Sequence, residues 1–358
     1  MNRVVRVLVV DDSALMRKLI PQIIERDHRI QVVGTAMDGE FALKKIPELQ
    51  PHVVTLDLEM PRMGGMETLR EITRKHHLPV IVVSAYSTRG AAATLRALSL
   101  GALDFVAKPK DAALAHMHAI AQELIAKITM AAQAGAPVNM PAPPVVRAPA
   151  SKLALKERSP AARLIVVGVS TGGPNAVQYL LSQLPADFPG AIVVVQHMPE
   201  GFTEMFARRL DESCALEVKE AQSGDLLLAG RVLVCPGDRH IKVKRLALGD
   251  VAVLSDGDRV NGHRPSADVL FRSAADEFGE RVIGVLMTGM GEDGAEGLGM
   301  IKAANGITIA QDERSCVVFG MPKVAIERGY VQRIVSLEAL ASTLQTLCGI
   351  ARDAVDEA

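Results

Sequence analysis

The chain has 358 residues, 49% hydrophobic and 23% charged, with 40 Lys plus Arg against 41 Asp plus Glu. At roughly 150 residues per domain that length suggests two domains. A formal net charge of −1, 3% aromatics and no Trp argue against a nucleic-acid surface or a base-stacking platform. Cys214, Cys235, Cys316 and Cys348 lie far apart with no C-x-x-C pair. They suggest neither a zinc site nor a disulfide framework, and read as buried thiols in a reducing compartment. The N-terminal MNRVVRVLVVDD lacks the apolar region of a signal peptide, and no segment nears the ~20 apolar residues of a membrane span. The expected location is cytoplasmic.

In chain order, the runs at 4–10, 31–36, 52–57, 79–85 and 103–108 are β-branched and apolar, with helix-like segments between them. Strands alternating with helices predict an α/β fold with a doubly wound, largely parallel sheet. In such a sheet the site lies beyond the carboxyl ends of the strands. Asp11 and Asp12 follow the first run, Asp57 ends the third, Ser84 ends the fourth and Lys108 the fifth. Carboxylates brought together repel unless a hard cation lies among them, and Mg²⁺ with oxygen ligands suits that place. Lys108 and the Ser84 hydroxyl would grip phosphate oxygens. Asp57, the central carboxylate, could accept a phosphoryl group as an acyl phosphate. Any one of these aspartates could instead be a helix N-cap, and Asp12 or Ser13 could cap a helix over 13–26. Their joint placement at strand ends favours a site.

The segments VLVVDDS, VTLDLEMPRMGG, VVSAYS and DFVAKP resemble those of response-regulator receiver domains, and the resemblance covers residues 4–125. It implies a flavodoxin-like (βα)5 domain over 1–130, with Asp57 as phosphoacceptor and Asp11, Asp12 and Asp57 at Mg²⁺. It further implies Ser84 and Lys108 as sensors of the phosphoryl group, Phe105 at the family's rotating aromatic position, and a chemosensory histidine kinase as phosphodonor.

The next stretch carries Pro137, Pro141, Pro143, Pro144 and Pro149. Proline removes amide donors and disfavours helix before it, so 131–160 reads as a semi-extended linker. Beyond it the runs at 164–170, 191–197 and 281–289 repeat the strand–helix pattern and predict a second doubly wound, Rossmann-like domain over 161–352. Shorter runs and turn signals near 216–255 predict a small antiparallel hairpin insertion.

GVSTGGP, residues 168–174, fits three readings. It matches the G-x-S-x-G nucleophile elbow at a strand-to-helix turn. It could hold a phosphate, although the lysine of the phosphate-binding loop is missing. It could simply cap a helix. A nucleophilic Ser170 needs a base and an orienting group. His197 ends the second run of this half, and Asp293 lies in TGMGEDG just past the run at 281–289, so all would share one sheet edge. Amides around Thr171 and Met290 could hold an oxyanion. His240 and His263 are rivals for the base. Glu292 and Glu296 are expected to be solvated. The order Ser…His…Asp is not that of α/β-hydrolases. A response regulator whose output domain only binds a protein or ligand is the alternative reading.

GVSTGGP, VVVQHMPEGFT, CPGDRH, NGHRPSADVLF and TGMGEDGAEGL together resemble the catalytic domain of the CheB chemotaxis methylesterase family. The resemblance covers residues 163–350. It implies a phosphorylation-activated esterase that removes methyl groups from glutamyl esters of chemoreceptors and deamidates receptor glutamines. Ser170 would be the nucleophile, His197 the general base and Asp293 its orienting residue, with no cofactor for the ester step.

Overall fold

The central β-branched runs of the sequence form parallel strands whose side chains are buried on both faces, as in sheets with helices on each side. The computed structural model describes residues 4–85, 87–108, 114–134 and 159–349. The chain divides into two units, residues 1–139 and 140–358.

In the first unit, β1 (Val5–Val10), β2 (Ile30–Ala36), β3 (Val53–Leu56), β4 (Val80–Ser84) and β5 (Asp104–Ala107) pair in the order β2-β1-β3-β4-β5. Every pairing is parallel. This is the flavodoxin-like order, whose switch point between β1 and β3 opens a crevice at the strand ends. The helix expected over 13–26 spans Ala14–Ile24, and its cap is Ser13, whose hydroxyl accepts from the Met16 amide at 3.4 Å. Asp12 does not cap it. The last helix, Leu114–Ala134, runs through the first four residues expected for the linker. Residues 135–158 lie outside the described residues.

The second unit is built on β6 (Arg163–Val169), β7 (Gly190–Gln196), β8 (Glu217–Glu220), β9 (Arg231–Val234), β10 (His240–Leu246), β11 (Gly249–Ser255), β12 (Val282–Leu286), β13 (Ile307–Gln311) and β14 (Arg333–Val335). Its main sheet has the order β14-β13-β12-β6-β7-β9-β8, parallel throughout. Only β10 and β11 form the antiparallel hairpin. The hairpin is therefore narrower than expected: the run at 231–235 contributes β9 to the main sheet. Its residues are all buried, which a strand between two sheet neighbours requires.

Chain progression reverses direction at β6, which pairs with β7 on one side and β12 on the other. That is the second switch point, and it fixes where the site lies. The turn from β6 into the helix Gly173–Ser182 needs Gly172, the helix N-cap, at φ 78°. A Cβ there would also lie 2.5 Å from the Val317 Cβ. Gly172→Ala is therefore expected to destabilise the second unit by about 1–3 kcal/mol. Urea unfolding followed by circular dichroism measures this, and an unchanged midpoint would refute it.

Candidate functional site

In the first unit the ends of β1 and β3 bring Asp11, Asp12 and Asp57 together, with ligand atoms all within 4.8 Å of one another. Asp11 and Asp57 are buried and Asp12 is exposed, so the cluster opens on one side. Lys108, past β5, sets its ammonium 2.7 Å from Asp57 Oδ2 and 3.0 Å from Asp11 Oδ2. Burial pushes the Asp11 carboxyl upward, with Lys108 offsetting it only in part. Burial also works against the Lys108 ammonium, but the two carboxylates outweigh it and hold its pKa above the usual lysine value. An all-oxygen, partly open carboxylate set fits a small hard divalent cation.

Ser84 ends β4 and Phe105 lies within the neighbouring β5, level with Val82; both are buried. The Ser84 hydroxyl donates to the Gly90 carbonyl at 3.2 Å, and so is held by the helix Thr88–Ser99. Lys127, which the sequence reading passed over, donates to the Phe105 carbonyl at 2.5 Å and stands 5.3 Å from its ring centre.

In the second unit, parallel register carries the candidate residues to one place. Val169 of β6 is level with Gln196 of β7, so Ser170 and His197 are the next residues on adjacent strands. The His197 amide donates to the Val169 carbonyl at 3.1 Å. The Ser170 amide donates to the Thr288 carbonyl, just past β12, at 3.0 Å. Gly289 then passes so close to the serine that a Cβ on it would lie 2.8 Å from the Ser170 Cβ. Met290 follows, half-exposed, and its amide has no acceptor among the described residues.

Asp293 is 1% exposed. Four donors satisfy it. Oδ2 accepts from the Ala267 amide at 2.6 Å and faces His197 Nε2 at 2.8 Å; Oδ1 accepts from Ser266 Oγ at 2.6 Å and Asn261 Nδ2 at 3.1 Å. Burial opposes its ionisation, but the His197, Ser266 and Ala267 bonds prevail and hold the carboxyl well below the usual carboxylate range. An ionised carboxylate can only accept, so the proton between Asp293 and His197 belongs to Nε2. Nδ1 is then the basic nitrogen. It is buried and has no hydrogen-bond partner among the described residues.

The rival residues fall elsewhere. His240 is buried, with Nε2 2.9 Å from the Asp258 carbonyl and Nδ1 accepting from the Ser266 amide at 3.3 Å; both ring nitrogens are taken up in bracing the loop. His263 stacks on His197, ring centres 3.8 Å apart and planes 7° from parallel. Glu292 and Glu296 pair with Arg328 at the surface. Burial raises the thiols of Cys235 and Cys316, and that of Cys348 to about 11. They are therefore poor nucleophiles.

Sequence reasoning missed Gln196. Its Nε2 donates to the carbonyls of both Ser170 (3.0 Å) and His197 (3.1 Å), clasping the two strand ends. A lone amide side chain closing the run GAIVVVQ was its only signal. Asn261 and Asp268 were missed as well. Asn261 donates to Asp268 Oδ2 at 2.7 Å, and burial, with Asp293 adding to it, raises the Asp268 carboxyl.

The CheB methylesterase family matches residues 165–344, and the response regulator receiver domain family matches residues 7–119. The chain is 60% identical over 346 residues to the protein-glutamate methylesterase/protein-glutamine glutaminase 2 of Koribacter versatilis, covering 95% of each. It is 46% identical over 361 residues to the corresponding protein of Symbiobacterium thermophilum, covering 97% of this chain and 98% of that one. The crystal structure of the Thermotoga maritima CheB methylesterase catalytic domain aligns with a TM-score of 0.51 at 40% identity, over 52% of this chain and 99% of that one.

The folded pKa of Asp293 lies below its unfolded value. Its contribution to stability is therefore present above about pH 4 and is lost as pH falls through the lowered value. Asp293→Asn should cost about 1–3 kcal/mol at pH 7, and the difference from the parent should shrink as pH drops below about 4. Denaturant unfolding at both pH values checks this; a gap that stays constant would contradict it.

Proposed function

The chain belongs to the CheB methylesterase family and carries a response-regulator receiver domain as well, and from this premise we propose that Ser170 is the nucleophile, His197 the general base and Asp293 the residue that orients it. The chain is a hydrolase of protein glutamyl γ-methyl esters, acting also on protein glutamine, in a phosphorylation-regulated chemotaxis pathway. No helix among the described residues is long and apolar enough to cross a membrane.

The observation that carries the assignment is the basic Nδ1 of His197, buried and unpartnered, beside the strand end that bears Ser170. The Ser170 hydroxyl gives its proton to Nδ1 as its Oγ bonds to the ester carbonyl carbon. Amides at Thr171 and Met290 stabilise the resulting oxyanion. The C–O bond to the methoxy group breaks, and Nδ1 returns the proton, so methanol leaves. Water, deprotonated by Nδ1, then attacks the acyl-serine; glutamate is released and Ser170 regains its proton. With a glutamine the leaving group is ammonia. Asp293 stays ionised and stabilises the imidazolium that forms in each half. The ester step uses only this chain's side chains and amides.

In the receiver, Asp57 accepts the phosphoryl group from a chemosensory histidine kinase. Asp11, Asp12 and Asp57 would hold Mg²⁺, which when bound offsets the charge of the phosphoryl oxygens. Lys108 already bridges Asp57 and Asp11 and is placed to hold a phosphoryl oxygen. Ser84 and Phe105 report the modification to the rest of that unit. The cytoplasmic regions of methylated chemoreceptors are the substrate. A binding-only output is disfavoured, because binding needs no oriented, proton-accepting imidazole next to a serine.

Ser170→Ala should reduce methanol release from methylated receptor membranes by about 10⁴-fold or more; a folded variant that keeps the parental rate would remove the serine from the mechanism. Asp57→Asn should keep basal hydrolysis but lose its stimulation by acetyl phosphate. EDTA should abolish the same stimulation in the parent while sparing basal methanol release. Equal stimulation of Asp57→Asn and parent would show that the phosphoacceptor lies elsewhere.

A further inference from the structure

Asp293 fixes His197 at one atom, Nε2, and a ring held at one atom can still swing about its own bonds. What limits that swing comes from the turn Val260–His263. Its ends exchange backbone bonds, the Val260 amide to the His263 carbonyl at 3.0 Å and the His263 amide to the Val260 carbonyl at 2.9 Å. The two central residues, Asn261 and Gly262, have φ 53° and 79°. Asn-Gly is the pair that adopts positive φ at both central positions of a tight turn most readily. The turn is thus a stiff platform.

Both of its outward side chains reach the oriented pair. Asn261 donates to Asp293 Oδ1 at 3.1 Å and to Asp268 Oδ2 at 2.7 Å. His263 lays its ring on that of His197, centres 3.8 Å apart and planes 7° from parallel. This is face contact at van der Waals distance, so His197 cannot tilt toward that side without a clash. The helix Ala267–Phe278 begins just after the turn and supplies the Ser266 and Ala267 donors to Asp293. One continuous segment therefore holds both the carboxylate and the imidazole.

The geometry points to His263 as a positioning residue for the ester hydrolysis: its flat ring face keeps the plane of His197 fixed, and with it the place of Nδ1 beside the strand end that bears Ser170. This inference rests on the assignment of His197 as the base. The contribution is geometric. Misplacing a reacting group by about 1 Å can cost on the order of 100-fold in rate. The effect should fall on the chemical step and leave substrate binding alone.

The test uses the full chain, with methanol release from methylated receptor membranes read as kcat and KM separately. The variants are His263→Leu, which fills the volume without a flat face, His263→Phe, which restores the face without an imidazole, and His263→Ala. Thermal unfolding is measured for each. His263→Leu and His263→Ala are expected to lose about 10- to 100-fold in kcat, with KM within about twofold, while His263→Phe recovers to within about threefold of the parent. The rate at which a fluorophosphonate labels Ser170 should follow the same order, independently of the receptor. A parental kcat in His263→Leu overturns the inference, as does a His263→Phe as slow as His263→Leu, since ring stacking would then not be the cause. His197→Ala in the same assay separates the two levels. If it is inactive while His263→Leu is parental, only the positioning role falls. If His197→Ala keeps the parental rate, the base assignment itself is wrong.

Discussion

The candidate site of the second unit is organised around one buried carboxylate, Asp293. Removing a carboxylate from water is costly unless its lone pairs are filled, and Asp293, buried beyond the end of β12, meets that demand with donors from three parts of the chain. His197 comes from the end of β7, Asn261 from the turn before the helix, and Ser266 and the Ala267 amide from the helix start. The helix N-terminus adds its partial positive charge to the same carboxylate. Because Asn261, Ser266 and the Ala267 amide donate to it, the carboxylate is held ionised, and because it is ionised it decides which imidazole nitrogen carries the proton. The basic nitrogen of His197 is therefore set by the solvation requirement of Asp293.

The two units use one architectural rule for opposite electrostatic ends. Each is an open parallel sheet with its reactive groups beyond the carboxyl ends of the strands, at the point where chain progression reverses. In the first unit that edge gathers three carboxylates against one lysine, a set that remains deficient in positive charge and so suits a cation and the phosphoryl group it accompanies. In the second, one carboxylate is saturated with donors, and the neighbouring imidazole is left with a free lone pair. Charge left over suits a cation; charge fully satisfied fixes the tautomer of the imidazole beside it.

Much of this was legible along the chain. Strand ends could be located because β-branched runs stop abruptly, and the residues that stop them are the ones each sheet delivers to its own carboxyl edge, Asp11 and Asp57 in the first unit and Ser170 and His197 in the second. The hairpin was read too broadly, since the short run at 231–235 carries no mark that tells a parallel inner strand from a hairpin arm; only its neighbours β7 and β8 decide that. Asp12 looked as good a helix cap as Ser13, and the choice was made by backbone geometry. Gln196 was invisible because its task, joining the carbonyls of Ser170 and His197, exists only once β6 and β7 are side by side.

The sequence by itself determined the two α/β sheets, the division of the chain into two parts and the identities of the groups at the strand ends, because strand periodicity, turn residues and side-chain chemistry are local properties. Tertiary structure alone decided which histidine pairs with Asp293 beside the serine's strand end, which nitrogen of it is basic, and that His263 lies flat against it while His240 braces a loop. Those outcomes depend on strand order and on a turn near residue 260 packing against groups some sixty residues earlier and thirty later in the chain, and contacts over such separations have no signature in residue spacing.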